Sequence, residues 1–197
     1  LSIVDAQGRA VSLTTTIEAG FGSRRMSDGG TGLDGGFLLN NQLTDFSFVP
    51  RDAAGRLVAN RVQPGKRPRS SMSPTLVFEP AAGPGQSPRL VAVTGSPGGA
   101  AIIHFNTRVL LGLLAEGLSP RQAVDRPHVA NDNGVTRLER GRFPAAVAQG
   151  LRERGQQVVE QDLTSGTQLL WRVDAGWVGA ADRRREGAVQ GPWAPAA

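Results

Sequence analysis

The 197-residue chain has no cysteine, no tyrosine, two histidines and a single lysine, Lys66. With no cysteine and no pair of histidines at ligand spacing, the residues offer no zinc site. The absence of cysteine is in keeping with an exported or oxidising location. No apolar run approaches the ~18 residues of a membrane span; the longest, Val109 to Ala115, is interrupted by Gly112. The 26 glycines and 13 prolines follow no three-residue period, which excludes a collagen. Aromatic residues make up 5%, and the basic side chains, nearly all arginine, are scattered, the densest run being Arg183-Arg184-Arg185. Nucleic-acid binders concentrate basic residues on one face beside stacking aromatics, so the net charge of +5 does not point to a nucleic acid.

What is present fits a globular chain with a real core. Apolar residues other than glycine make up 39%, too many for a disordered chain. The length suits about one domain, and no internal repeat is visible. The chain opens mid-strand on Leu1-Ser2-Ile3-Val4 and reads as the downstream piece of something longer. Residues 1–18 are expected to form a hairpin, with a turn at Asp5–Gly8 and a second strand over Ala10–Glu18. Alternation puts Val11, Leu13, Thr15 and Ile17 on one face of that strand, and Ser12, Thr14, Thr16 and Glu18 on the other, a polar face suited to lining a site. Residues 20–36 read as a glycine-rich loop, Phe37-Leu38-Leu39 as a short buried run, and 46–69 as loop.

Thr75–Phe78 and Leu90–Thr94 read as core strands. Gly98-Gly99 opens a helix with apolar residues at helical period: Ile102, Ile103, Val109, Leu110, Leu113 and Leu114. Ser119-Pro120 signals a second helix start, and Pro144–Arg154 a third helix ended by Gly155. Late strands are expected at Gln157–Val159, Gln168–Val173 and Trp177–Ala180, which makes the fold α+β.

Several motifs admit two readings. Gly30-Thr-Gly-Leu-Asp-Gly35 matches a dinucleotide fingerprint, but a loop precedes it and a short strand follows, so it reads as a loop. His104 and His128 read as structural. In Thr94-Gly-Ser-Pro-Gly-Gly99, two bare glycine amides at a helix start suit an anion or an oxyanion, or a tight strand-to-helix turn. Ser70 and Ser71 could bind a carboxylate or form a polar turn. Gln42 and Asp45 could hold an ammonium or lie in a solvated loop.

Taken together, Gly36-Phe-Leu-Leu-Asn-Asn-Gln-Leu-Thr-Asp45-Phe46, Pro64-Gly-Lys-Arg-Pro-Arg-Ser-Ser-Met-Ser-Pro74 and Thr94-Gly-Ser-Pro-Gly-Gly99 resemble the small subunit of the γ-glutamyltranspeptidases, from Leu1 to the C-terminal Gly179-Ala-Ala-Asp182. The resemblance implies an N-terminal nucleophile hydrolase αββα sandwich, completed by a separate large subunit cut from the same precursor, with residues 1–197 as the small subunit. It implies a γ-glutamyltransferase or glutathione hydrolase that cleaves γ-glutamyl amides such as glutathione and passes the acyl group to water or an amine. No cofactor, metal, nucleic acid or membrane is expected, and the family's usual location is periplasmic or secreted.

Carried over residue by residue, Gly98 and Gly99 supply oxyanion N–H groups, Ser70 and Ser71 bind the α-carboxylate, and Gln42 and Asp45 hold the α-ammonium. Thr16 orients the nucleophile, and Glu18 stands where many members carry asparagine, facing the ammonium. The family pattern places the nucleophilic threonine three positions before Leu1, and the large subunit supplies an arginine to the carboxylate. Residues 23–35 look longer than in many relatives, and 46–69 fall where some members carry a lid. Two other readings stand beside this one: a related glutaryl or cephalosporin acylase, whose substrate has no ammonium, and a non-catalytic amino-acid-binding homologue.

Overall fold

The computed structural model describes residues 1–32 and 34–191; residue 33, inside the glycine motif, and residues 192–197 lie outside the described residues. In chain order the strands are β1 (Ser2–Val4), β2 (Ala10–Ser12), β3 (Met26–Ser27), β4 (Phe37–Leu38), β5 (Thr75–Glu79), β6 (Arg89–Gly95), β7 (Val129–Ala130), β8 (Thr136–Glu139), β9 (Val158–Gln161), β10 (Gln168–Val173) and β11 (Gly176–Ala181). The helices are α1 (Ile102–Leu114), α2 (Pro120–Asp125) and α3 (Ala145–Glu153). They divide between two units: the described residues of Leu1–Thr14 and Ser71–Ala197, and Thr15–Ser70.

The larger unit is built on an antiparallel sheet in the order β11-β10-β6-β5. The apolar stripe of α1 buries Ile102, Phe105, Val109 and Leu113, spaced as one helical face requires. With Ala123 and Val124 of α2, Val109 and Leu113 pack on Ala92, Leu169 and Ala180 of the sheet. Burying a valine or leucine side chain contributes roughly 1.5–3 kcal/mol, so this cluster is the main cohesive element of the unit. Gly112 interrupts the apolar run because α2 passes close: a Cβ there would lie 3.3 Å from the Ala123 Cβ. Strand alternation sends Val91 and Val93 to the opposite face, where they too are buried. The start of α2 is a capping box, in which the Ser119 hydroxyl and the Gln122 side chain satisfy each other's backbone amides, with Pro120 in the first turn. A smaller sheet pairs β7 with β8 antiparallel and β8 with β9 parallel. The parallel pair requires a crossover, which α3 provides.

The helices and long strands thus follow the sequence pattern, while several local expectations fail. The second hairpin strand ends at Ser12, with two further bonds between Leu1 and Leu13, Leu13 N to Leu1 O at 2.8 Å and Leu1 N to Leu13 O at 2.9 Å, so Thr15–Glu18 are not strand. The hairpin's faces are also inverted relative to an isolated amphipathic ribbon. Leu1, Ile3, Val11 and Leu13 are exposed. Ser12 points inward, its hydroxyl donating to Thr94 O at 2.7 Å and accepting from Thr75 N at 3.1 Å. The hydroxyl satisfies backbone groups at the end of the β5–β6 ladder, which no apolar side chain can do. In α1, Ile103 and Leu114 are exposed although they fit the helical period, because they flank the stripe that meets the sheet.

The smaller unit is mostly loop, tied by side chains. The Asp28 carboxylate accepts the amides of Gly30 at 2.9 Å and Gly32 at 3.1 Å, so the fingerprint-like motif begins in a turn, and the next element is the strand β4 rather than a helix. Those two amides hold the Asp28 carboxyl below the usual carboxylate range. Asp52 organises the 52–56 turn through the amides of Ala54 and Arg56, both at 2.9 Å. The run expected to be buried at 37–39 is not. Phe37 is 57% exposed and Leu39 lies at the surface, because β3 and β4 form a two-stranded ribbon with no second layer in this unit.

Candidate functional site

Thr16, Glu18, Gln42, Asp45 and Ser70 belong to the smaller unit, and Ser71, Gly98 and Gly99 to the larger one. Within the smaller unit, the segment containing Thr16 and Glu18 is laced to the one ending in Gln42. Asn40 Nδ2 donates to Thr16 O at 3.0 Å, Asn41 N donates to Ile17 O at 3.2 Å, and Ala19 N donates to Asn41 Oδ1 at 3.0 Å. The Thr16 hydroxyl accepts the Glu18 amide at 2.8 Å and so fixes a backbone turn. That turn holds Glu18 at φ 75°, a left-handed conformation that L side chains adopt at a cost of roughly 1 kcal/mol.

Gln42–Asp45 is one turn of 3₁₀ helix. Its geometry brings residue i and i+3 together, and the Gln42 carboxamide donates directly to the Asp45 carboxylate. No lysine or arginine pairs with this half-buried Asp45 carboxylate among the described residues. Asn60, in the loop that follows, donates from Nδ2 to Asp45 O at 2.6 Å and accepts the Arg69 amide on Oδ1 at 3.0 Å. It therefore joins the residue that carries the carboxylate to the residue before Ser70.

In the larger unit, antiparallel pairing puts the start of β5 beside the end of β6, with Thr75 opposite Thr94. The chain enters β5 from Ser71 and leaves β6 toward Gly98, so both lie at one end of the sheet. Helix α1 braces this end: Asn106 Nδ2 donates to the carbonyl and the hydroxyl of Ser73, both at 2.8 Å. Gly98 has φ 139° and Gly99 φ 58°. Neither amide N–H has an acceptor among the described residues, and both precede α1, whose dipole favours negative charge there. A Cβ on Gly98 would come within 2.4 Å of Phe105 Cε2, whereas one on Gly99 would meet nothing within 4 Å. Only Gly98 needs to be glycine for space.

Asn60 and Asn106 had no signal in the sequence. Each is a polar residue whose partners are distant backbone groups, and neither periodicity nor motif spacing reports such bonds.

The histidines lie apart from these residues. His104 Nε2 meets Asp132 Oδ1 at 2.9 Å on the surface. His128 is fully buried, its ring 4.3 Å from that of Phe105. Its Nε2 lies 2.7 Å from the Ser165 hydroxyl, which itself donates to Asp182. Ser165 therefore accepts from His128, and the Nε2–H tautomer follows, with Nδ1 left as a buried acceptor without a partner. Burial, then the neighbouring Arg184 charge, pushes the His128 pKa down to about 4, against the opposing pull of Glu139 and Asp182.

A depressed histidine pKa means that the stability this group contributes is present above pH 6.5 and lost as pH falls toward 4. Glu139 and Asp182, also held below their ordinary range, lose stability in the same direction at lower pH. Urea unfolding is expected to show roughly 3 kcal/mol lost between pH 7 and pH 4 from this group. His128→Gln should flatten that slope between pH 6.5 and 4.5; a slope unchanged in the variant would refute the assignment.

Among the described residues no group of three or more His, Asp or Glu could hold a metal ion, and no helix is long and apolar enough to cross a membrane.

The family model described as Gamma-glutamyltranspeptidase matches residues 1–191. A "Glutathione hydrolase proenzyme" of Bacillus subtilis (strain 168) is 34% identical over 194 residues, covering 96% of this chain and 30% of that protein. An "Acylase ACY 1 proenzyme" of Pseudomonas sp. (strain V22) is 30% identical over 189 residues, covering 95% of this chain and again 30% of the relative. The chain thus spans about 30% of the length of these relatives. The solved structure of an acivicin-inhibited gamma-glutamyltranspeptidase superposes with a TM-score of 0.78 at 33% identity, covering 94% of this chain and 98% of that one.

Proposed function

The chain belongs to the γ-glutamyltranspeptidase family and shares its N-terminal nucleophile hydrolase fold, and from that premise we propose that it forms the acyl-transfer half of an enzyme that cleaves γ-glutamyl amides such as glutathione. The observation that carries this reading is the Gln42–Asp45 pair: a half-buried carboxylate, oriented by a carboxamide, with no protein cation among the described residues. That is what a substrate α-ammonium requires.

In this reading the α-ammonium sits on Asp45 and Gln42, with Glu18 nearby, and the α-carboxylate on Ser70 and Ser71. The nucleophile is the threonine that the family pattern places three positions upstream of Leu1, oriented by Thr16. Its hydroxyl attacks the γ-carbonyl, and its own α-amine takes the proton. The oxyanion that forms draws on the amides of Gly98 and Gly99. The α-ammonium of the threonine returns its proton to the leaving amine, and water or an amine acceptor then resolves the ester. A large subunit from the same precursor completes the site, and the periplasm or the cell exterior is the proposed location.

The test is turnover of a chromogenic γ-glutamyl anilide by the complete two-subunit protein, set against a glutaryl anilide. The glutaryl group keeps the carboxylate and lacks the ammonium, so the acylase reading predicts equal or better kcat/KM for it. The proposed function predicts a strong preference for the γ-glutamyl donor, and no γ-glutamyl turnover would overturn it. Asp45→Asn removes one charged partner of the ammonium, about 1.5–3 kcal/mol, and should lower kcat/KM for γ-glutamyl anilide roughly 10- to 100-fold, mainly through KM. Unchanged KM and kcat would remove Asp45 from the clamp.

A further inference from the structure

The α-ammonium and α-carboxylate of an amino acid are carried by one carbon, so the protein groups that hold them must keep a fixed separation. In this chain the two sets of groups come from sequence-distant positions, a single 3₁₀ turn at Gln42–Asp45 on one side and Ser70 on the other. Neither lies on a long helix or strand that could hold them rigid. The segment between them, 46–69, contains only isolated bridges, Ser47 with Arg61 and Arg51 with Leu57.

Asn60 closes this gap with both ends of one carboxamide. Nδ2 donates to the carbonyl of Asp45 at 2.6 Å, and Oδ1 accepts the amide of Arg69 at 3.0 Å. Asn60 is itself fixed at the backbone, its carbonyl accepting Ser47 N at 2.8 Å, while the neighbouring Ala59 carbonyl accepts Lys66 Nζ at 2.7 Å. The side chain is half-buried and planar, so the two bonds set the spacing between Asp45 and Arg69 by the width of one amide group. Both bonds go to main chain, and neither touches the carboxylate of Asp45. That leaves the carboxylate to Gln42 and to the ligand.

We propose that Asn60 is a positioning residue: it holds the ammonium-binding Asp45 and the carboxylate-binding Ser70 at the spacing of an α-amino acid. This rests on the functional reading above. Placement of binding groups within about 0.5 Å is what such a site demands, and a 1 Å error can cost about 100-fold in rate. A simple loop tie would bond one neighbour to stiffen a turn. Asn60 instead bonds the two residues that carry, or immediately precede, the opposite ends of the substrate clamp.

The experiment is steady-state kinetics of the complete two-subunit protein and its Asn60→Ala variant, on γ-glutamyl and glutaryl anilides, alongside thermal unfolding. The expected result is a γ-glutamyl KM raised roughly tenfold or more, with kcat within about threefold, and a smaller KM change for the glutaryl donor, which uses only one side of the clamp. A lower unfolding temperature with unchanged KM would overturn the proposal, since a structural tie changes the amount of active protein and not its affinity. Should Asn60→Ala fail to fold, the isosteric Asn60→Asp decides. It keeps the acceptor for Arg69 N and sets an oxygen against the Asp45 carbonyl, so it too must raise the γ-glutamyl KM. If the parent protein itself turns over no γ-glutamyl donor, the functional reading fails and this proposal falls with it. If the parent is active and both variants keep its KM, only the role of Asn60 is overturned.

Discussion

Asp182→Ala is expected to destabilise the larger unit by about 3–5 kcal/mol, the cost of breaking a buried ion-pair and hydrogen-bond network. The Asp182 side chain is fully buried. It accepts the Ser165 hydroxyl and the Arg184 amide, the latter at 2.9 Å, and it pairs with the Arg184 guanidinium at 3.2 Å. Arg184 in turn bonds both oxygens of Glu139, at 2.7 and 2.8 Å, and the carbonyls of Val124 and Arg126. One guanidinium therefore joins the end of α2, strand β8 and the chain after β11. Burial disfavours the Asp182 charge, but the Ser165 hydroxyl, the Arg184 amide and the guanidinium outweigh it, so the carboxyl stays below its usual range.

Truncating Asp182 leaves Arg184 with one carboxylate in place of two and leaves the Ser165 hydroxyl without its acceptor. Urea unfolding of the complete protein measures the loss. Because Arg184 still pairs with the nearly buried Glu139, Arg184→Met added to Asp182→Ala should deepen the loss by stranding that second carboxylate. A single-variant loss below about 1 kcal/mol, the range of an exposed pair, would contradict this account.

Gly98→Ala is expected to lower kcat about 100- to 1000-fold, the effect of losing an oxyanion donor, while Gly99→Ala does far less. The argument is geometric. A methyl on Gly98 would sit 2.4 Å from Phe105 Cε2, and Phe105 is itself 1% exposed and packed on His128. The ring has nowhere to go, so the turn must move and carry its amides out of line. The φ of 139° adds backbone strain on top of the clash. At Gly99 the space is open and φ is 58°, so alanine pays only the left-handed penalty of roughly 1–2 kcal/mol and leaves its N–H in place. Kinetics of the two variants in the complete protein separate the cases. Equal loss at both positions, or none at Gly98, would remove this turn from the catalytic site.

Much of the architecture could be read from pattern. The period of Ile102–Leu114, the Ser119-Pro120 start and the Gly155 stop mark helices because their signals are local. The extent of β10 matches its pattern residue for residue, since its Leu-Leu-Trp run pairs with β6 on one side and β11 on the other. Strands β7 and β8 were invisible: one is two residues long and the other, Thr-Arg-Leu-Glu, has a single apolar residue. The hairpin misled for a different reason. Its alternation holds only as far as Leu13, and the direction of its faces depends on what lies above and below it: Ser12 is needed where the β5–β6 ladder runs out of partners.

The candidate site was legible only where residues cluster in sequence. Gln42 with Asp45, Ser70 with Ser71 and Gly98 with Gly99 are each local groups. The asparagines that brace them, Asn60 and Asn106, act across long separations through main-chain bonds, and a linear pattern carries no trace of that.

The tether at Asn60 also bears on how the loop before it can change. With Asp45 and Arg69 both fastened to one side chain, residues 46–59 form a closed excursion whose length does not set the position of either end. Lengthening such an excursion is cheap, about 0.6 kcal/mol of closure entropy for each doubling. Insertions and deletions there can change the length and surface of this loop while the spacing between Asp45 and Arg69 that Asn60 sets is kept.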